Sequence, residues 1–357
     1  MKRILPSLLF GVTACCLIAC ILLSADLTQG ISQGIHLCLN SLIPSLYFFM
    51  ILSNLIMNSR LCQVLARPFR FLSRKVLHLD DSLFTIFLLS MLGGYPIGAK
   101  LVADQIKQGN ITPQTGRYLL NFCVNCSPAF LMSYLSVRLW GNIGPGFLIY
   151  LSQILSALLI AVFTGLRHPC KIEKSVSLSA PKLSSSAVFV SSVNQATHTM
   201  GIICSFVVVF CAAFPILDRL LSSYGTLSIW LKGLLEVTAG CQNLSELSAY
   251  SSILAASLFT SFGGVCVFLQ ITALISGTGI SIIKWLLWRI PYTFLSVGIT
   301  YLGILLFPQS LSCFGTSQGA FEAKWFTVSP AASVSMIVTA GVLLFLSVPK
   351  SVKKHGL

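Results

Sequence analysis

Residues Leu83 to Lys107 do not read as an ordinary membrane-crossing helix. Ten apolar-leaning residues, Leu83 to Leu92, are followed by Gly93-Gly94-Tyr95-Pro96 and a second run, Ile97 to Lys107. At about 1.5 Å of rise per residue each run covers roughly 15 Å, half of the ~30 Å hydrocarbon core. Neither run crosses alone. The segment reads as two half-length helices meeting at a tip near the midplane, a re-entrant hairpin, or as one helix kinked sharply there. Both versions free backbone groups at membrane depth, which is tolerated only where protein or water satisfies them. A solute site in a transporter is such a place.

That reading presupposes a bilayer, and the composition supplies it. Of 357 residues, 55 % are hydrophobic and 9 % charged, against about 25 % charged in an average soluble domain. The class is therefore an all-α polytopic membrane protein. The net charge of +14 sits between apolar runs, which is the positive-inside pattern and not a nucleic-acid groove. Most of the 13 cysteines lie in apolar runs, where Cys behaves as a small hydrophobe. Cys123-x-x-Cys126 has no second pair to complete a metal site, and no cofactor is expected. No phosphate-cradling loop or nucleophile–base set stands out, so an enzyme is disfavoured.

Ile4 to Leu23 reads as an uncleaved first span and Ile35 to Ile56 as a second, separated by Ser24 to Gln33. Arg60, Arg67, Arg70, Arg74 and Lys75 place the 58–82 loop in the cytoplasm, with Leu61, Leu65, Phe69 and Leu72 on one face of an amphipathic helix. Further spans are expected at Tyr118 to Val137, Phe147 to Leu166, Val188 to Leu217, Leu286 to Phe307 and Ala331 to Val348. The chain divides into 1–82, a first repeat at 83–174, a linker at 175–186, a second repeat at 187–348, and a basic tail at 349–357. The repeat rests on Gly93-Gly94 recurring as Gly263-Gly264, with four identities between 93–110 and 263–280 and a second short–break–short unit at Ile253 to Ile275. An odd number of spans between the units makes the repeat inverted, with two re-entrant hairpins and about 7–8 full spans. This count strands Lys350, Lys353 and Lys354 on the outer side. A crossing at 228–247 would remove the conflict, but Lys232 and Glu236 make that segment a poor span.

Lys100 lies one turn beyond the break, with Asp104 four residues on and on the same face. The pair is either self-neutralising or a cation offered to an anionic solute beside a helix N-terminus. Asn121, Asn125 and Ser127, ahead of Pro128, interrupt the next span and are either interhelical hydrogen-bonders or solute contacts. Glu236 is either a coupling carboxylate for a proton or cation or a partner for Lys232. Gln270, at the repeat position of Lys100, is a candidate polar lining.

Gly93-Gly94-Tyr95-Pro96-Ile97-Gly98-Ala99-Lys100, Asn121-Phe122-Cys123-Val124-Asn125-Cys126-Ser127-Pro128, Leu235-Glu236-Val237-Thr238 and Ser261-Phe262-Gly263-Gly264 together resemble the sporulation integral membrane protein YlbJ family, which carries the nucleoside-recognition Gate domain. The resemblance covers about residues 30 to 345. It implies a spore-forming bacterium, a cell or forespore membrane, and transport of a small anionic metabolite, dipicolinate first. A nucleoside is the alternative solute, and a scaffold for spore assembly the alternative function. The expected solute site is Gly93, Gly94, Tyr95, Pro96, Lys100, Asn121, Asn125, Ser127, Gly263, Gly264 and Gln270, with Glu236 and Asp104 coupling an ion. The expected partners are the solute and the lipid bilayer, with an oligomer left open.

Overall fold

The computed structural model describes residues 21–59, 61–77, 79–167, 185–221 and 226–307. Most of the expected span at 4–23, the whole of that at 331–348, the basic tail and most of the linker lie outside these residues.

The chain enters the described region as α1 (Ser24–Leu37), a π-helical turn (Cys38–Leu42) and α2 (Ile43–Met57). Pro44 lacks an N–H to donate to the preceding turn, and a widened turn absorbs the defect. Ser24 to Gln33, expected as a separate segment, is helical and makes one 34-residue unit with α2. Its small residues explain this. A Cβ on Gly30 would lie 2.3 Å from Cys211 O, and one on Gly34 2.9 Å from Val208 Cα. Gly30-x-x-x-Gly34 thus lets α9 (Ser185–Leu221) pack backbone against backbone, as small-residue stripes do in membranes. The pair is antiparallel: Tyr47 bonds Thr197 at 2.9 Å near its middle and Asp26 pairs with Arg219 at its far end.

The basic loop is not one amphipathic helix. It breaks into α3 (Leu61–Ala66), a 3-10 turn carrying Pro68, and a π-helical turn (Phe71–Val76). Leu65 and Phe69 are exposed, while Cys62 and Ala66 are buried. Asp81 clamps the loop through Arg70 at 3.3 Å and Arg74 at 3.1 Å. Burial above all, with the Asp80 and Asp81 carboxylates adding to it, holds the Cys62 thiol up at about 11. The thiolate is the reactive form, so peptide mapping after maleimide treatment at neutral pH is expected to find Cys62 unlabelled until the protein is denatured. Rapid labelling in the folded state would contradict this packing.

Next come α4 (Asp81–Gly93) and α5 (Ile97–Lys107). Thr85 on α4 bonds Cys62 O, near the end of α2. Gly93, at the tip, packs against Phe49. Lys100 on α5 then reaches Asn54, closer again to the end of α2. The chain therefore turns back on itself, as the half-length runs led one to expect.

After α5, α6 (Pro113–Leu120) starts at a Thr112 cap and a Pro at its first position, where the missing N–H costs nothing. It stops at Leu120. Residues 121–127 are non-helical, and the chain continues from Pro128 through a π-helical stretch (Ala129–Ser136) into α7 (Val137–Trp140). The expected crossing at Tyr118 to Val137 is thus interrupted over several residues rather than kinked at Pro128 alone. α8 (Gly144–Arg167) returns, and Ala161 O meets the Tyr118 hydroxyl at 3.0 Å. The same hydroxyl donates to Leu77 O at 3.3 Å, which sets this end of α8 beside the basic loop and Trp140 a helix length away.

The second expected hairpin differs from the sequence reading. α12 (Ala249–Phe262) begins beside Trp140, whose Nε1 donates to Ser252 Oγ at 2.9 Å. α13 (Gly264–Leu274) ends beside Lys107, whose Nζ donates to Leu274 O at 3.3 Å. These contacts lie at opposite ends of the bundle. The 26 residues Ala249–Leu274 are long and apolar enough to cross, with an interruption at Gly263-Gly264, and do not fold back. The segment that folds back is the one read as a poor span. α10 (Leu227–Leu235) and α11 (Val237–Gln242) press Gly233 against Gly240, where a Cβ would lie 2.2 Å from Gly233 Cα. Gln242 then reaches Tyr134 at 3.1 Å. Last, α14 (Ile282–Leu306) presents Ile283, Phe294 and Leu306 outward. Five helical units of the described chain are long and apolar enough to cross a membrane, and the protein is an all-α integral membrane protein.

Candidate functional site

Each interruption strands backbone groups, and in an apolar interior each must find a partner. In the first, Leu120 O accepts from Trp285 Nε1 at 2.9 Å, Phe122 O from Asn125 Nδ2 at 2.6 Å, and Val124 O from Arg289 Nη1. Cys126 N donates to Gln153 Oε1 at 3.0 Å. In the second, Phe262 O, at the C-terminus of α12, accepts from Arg289 Nε at 3.1 Å. Gln153 Nε2 donates to Thr260 Oγ1 at 3.1 Å. Two side chains therefore tie both interruptions together, Gln153 from α8 and Arg289 from α14. Trp285, Arg289 and Tyr292 share one stripe of α14, and the Tyr292 hydroxyl completes it by donating to Asn125 Oδ1 at 2.6 Å.

The two folded-back tips seat on these interruptions. Gly94 (φ +79°) approaches Ser127 so closely that a Cβ would lie 2.7 Å from its backbone N. Gly264 (φ +71°) lies against the last carbonyls of α10, 3.1 Å from where its Cβ would be. The second tip is built by Glu236, whose extended backbone (φ −142°) separates α10 from α11. Its carboxylate accepts from Thr238 N at 3.1 Å and Ala239 N at 2.6 Å. It caps the helix it starts, where both the free amides and the helix dipole favour an anion.

Between the tips and the α1–α2/α9 pair lies a cavity of about 50 Å³. One wall is apolar, from Leu42, Leu46, Ile203 and Val207. The other carries Tyr95, Ser127, Glu236, Thr238 and Gln270, with Ser45 beside the apolar wall. The Tyr95 hydroxyl and Arg289 Nη2 are buried without a hydrogen-bond partner among the described residues.

Of the residues expected from sequence, the cavity gathers Gly94, Tyr95, Ser127, Gln270 and Glu236. Lys100 is not among its lining residues. Its ammonium spends its three donors on Asn54 at 2.7 Å, Asp104 at 2.5 Å and Gln195 at 3.2 Å, which ties α5 to α2 and α9. Asp104 goes with it. Asn125 is a staple within the first interruption, and Asn121 is buried with Oδ1 unpaired among the described residues. Gly93, Pro96, Gly263 and Gly264 shape the turns without lining the cavity. Lys232, the alternative partner for Glu236, pairs with Asp218 at 2.5 Å instead. Sequence reasoning missed Gln153 and Arg289. An arginine four residues after Trp285 and three before Tyr292, inside an apolar run, was the signal, because an ionisable residue at membrane depth calls for a partner.

The fold and this polar centre define the class, an integral membrane protein with interrupted helices meeting at a buried cavity. No protein-family model, curated protein or solved structure matches the chain.

Proposed function

We propose that this chain is a secondary transporter that moves a small polar solute by sliding its hairpins and interrupted helices against the α1–α2/α9 pair. The observation that carries the reading is where the cavity lies, with a wall on the pair that is apolar but for Ser45, and Tyr95, Ser127, Glu236, Thr238 and Gln270 facing it from the tips and interruptions beside Cys126, Phe130 and Val267. A polar tip holds a solute, and an apolar wall gives way without hydrogen bonds being broken. Interrupted helices meeting at the midplane are the usual frame for such a site.

The order of elements supports the same reading. A helix, a folded-back pair, an interrupted crossing and a returning helix occur as α1–α2, α4–α5, α6–α7 and α8, then again as α9, α10–α11, α12–α13 and α14. The first folded-back pair opens toward the basic loop and the second toward the other side, which supports an inverted repeat. In this register Gly94 corresponds to Glu236 and not to Gly264. Crossing at Ala249–Leu274 also adds one span to the sequence count. With 4–23 and 331–348 crossing as expected, Lys350, Lys353 and Lys354 then fall on the side of the basic loop, in keeping with the positive-inside bias.

The solute's identity rests on the family resemblance, which names dipicolinate and a forespore membrane. The cavity itself offers hydroxyls, an amide and the Glu236 carboxylate rather than the ammonium first expected. Labelled dipicolinate is expected to enter proteoliposomes holding the full chain, and Glu236→Gln to slow entry about tenfold or more. Glu236 caps the second tip by accepting from Thr238 N and Ala239 N, and the figure follows from weakening such charged hydrogen bonds, worth about 1.5–3 kcal/mol, at 1.4 kcal/mol per factor of ten. Uridine entering in place of dipicolinate assigns the alternative solute. No uptake of either, nor of a panel of small dicarboxylates, by folded protein sinks the transport reading.

A further inference from the structure

Carriers with interrupted helices hold a coupling sodium ion at unwound carbonyls and half-helix C-termini, where free oxygens and the negative end of a helix dipole converge. This chain has both kinds of oxygen, Val124 O in the first interruption and Phe262 O at the C-terminus of α12. A metal ion does not fit between them, because the Arg289 guanidinium already takes both. Arg289 is 1 % exposed, and among the described residues no carboxylate lies within ion-pair distance of it. Its charge is met instead by the two carbonyls and by ring faces, with Tyr292 at 4.5 Å and Trp285 at 5.9 Å from the guanidinium carbon. Oxygen dipoles and π faces are what a monovalent cation uses.

We propose that Arg289 is a resident cation that occupies the position of a coupling sodium ion, so that the two interruptions are held together permanently and this point of the protein is blind to sodium. Arg289 is a positioning residue, acting on the solute through the carbonyls it fixes. The consequence for coupling rests on the transport reading above, but the charge substitution itself does not, and the experiment separates the two.

Thermal unfolding of the purified full chain is compared in sodium, potassium, lithium and choline chloride at equal ionic strength. The parent is expected to unfold at one temperature in all four. Arg289→Ala leaves two buried carbonyls without donors, so it is expected to unfold about 5–10 °C lower and to recover part of that loss in millimolar guanidinium or sodium, but not in tetramethylammonium. Arg289→Lys keeps the charge and loses the fork, so it should fall between the two and gain nothing from guanidinium. Recovery in sodium is the readout that a merely structural arginine would not give, since guanidinium alone only refills the space that the side chain left. Saturable, sodium-specific stabilisation of the parent overturns the proposal, and this arm stands even if the alanine variant does not fold. An Arg289→Ala protein that folds and gains nothing from sodium also overturns it, whatever guanidinium does. Should no solute ever be transported while the parent is sodium-blind and the variant is rescued, the transport reading fails and the resident cation stands.

Discussion

Gly98→Ala is expected to lower the unfolding temperature of the purified protein by about 5 °C or more, while Gly201→Ala leaves it unchanged or raises it slightly. Both glycines are helical, so both substitutions gain the same ~1 kcal/mol of helix propensity. They differ in what the new methyl meets. At Gly201 nothing lies within 4 Å, whereas at Gly98 the Cβ would sit 1.7 Å from Cys123 O and 2.7 Å from Ser90 Cβ. Cys123 cannot easily retreat, because its neighbours Leu120 O and Val124 O are held by Trp285 and Arg289. Overpacking a yielding core costs about 1–3 kcal/mol, and a pinned backbone takes the figure to the upper end or beyond. At roughly 2–4 °C per kcal/mol for a chain of a few hundred residues, the net loss is several degrees. Equal unfolding temperatures for the two variants would mean that the first tip does not seat on the first interruption.

The second large effect is at Lys100. Lys100→Met keeps the stem and removes the ammonium, leaving three oxygens without their donor. Asn54 is 2 % exposed, so its Oδ1 bears most of the desolvation penalty, while the Asp104 side chain is 28 % exposed and regains some water. Breaking a fully buried pair costs about 3–5 kcal/mol; the exposure of Asp104 brings the expected loss to roughly 2–3 kcal/mol. Asp104→Asn added to Lys100→Met should recover part of it, and the double-mutant cycle measures how much. The same variant separates two roles for this lysine. As a tie between α5 and the α2/α9 pair it lowers stability and leaves the KM for solute alone. As the solute's counter-charge, the role first read from sequence, it would raise the KM at least tenfold.

The parts of the fold that were legible in the sequence are those written in punctuation. Gly93-Gly94-Tyr95-Pro96 and Asn125-Cys126-Ser127-Pro128 announce broken helices, since Gly and Pro act on the backbone locally. Glu236 stood out as a carboxylate in an apolar run. Which segment of the second half folds back was not legible, for a reason visible in the dihedrals. Gly94, Gly263 and Gly264 all adopt positive φ, at +79°, +93° and +71°, and glycine supplies that conformation equally to a tip and to an interrupted crossing. Matching glycine to glycine therefore paired unlike elements. The true second tip needs no glycine at its turn, because Glu236 turns in extended backbone and caps itself. Arg289 and Gln153 escaped because their partners lie far along the chain. Val124 is 165 residues from Arg289, and no local pattern records such a debt.

That distance has a consequence for how the protein is made. While the ribosome has delivered only the first half, Leu120 and Val124 sit in lipid with their acceptors open, and the groups that close them are on the last described helix. The early segments must wait, either wet or shielded by an insertase or a helper, until α14 arrives. Translation order thus makes a late helix the keystone of an early one, and truncation ahead of residue 282 should leave a product that the cell's membrane proteases recognise as unfinished.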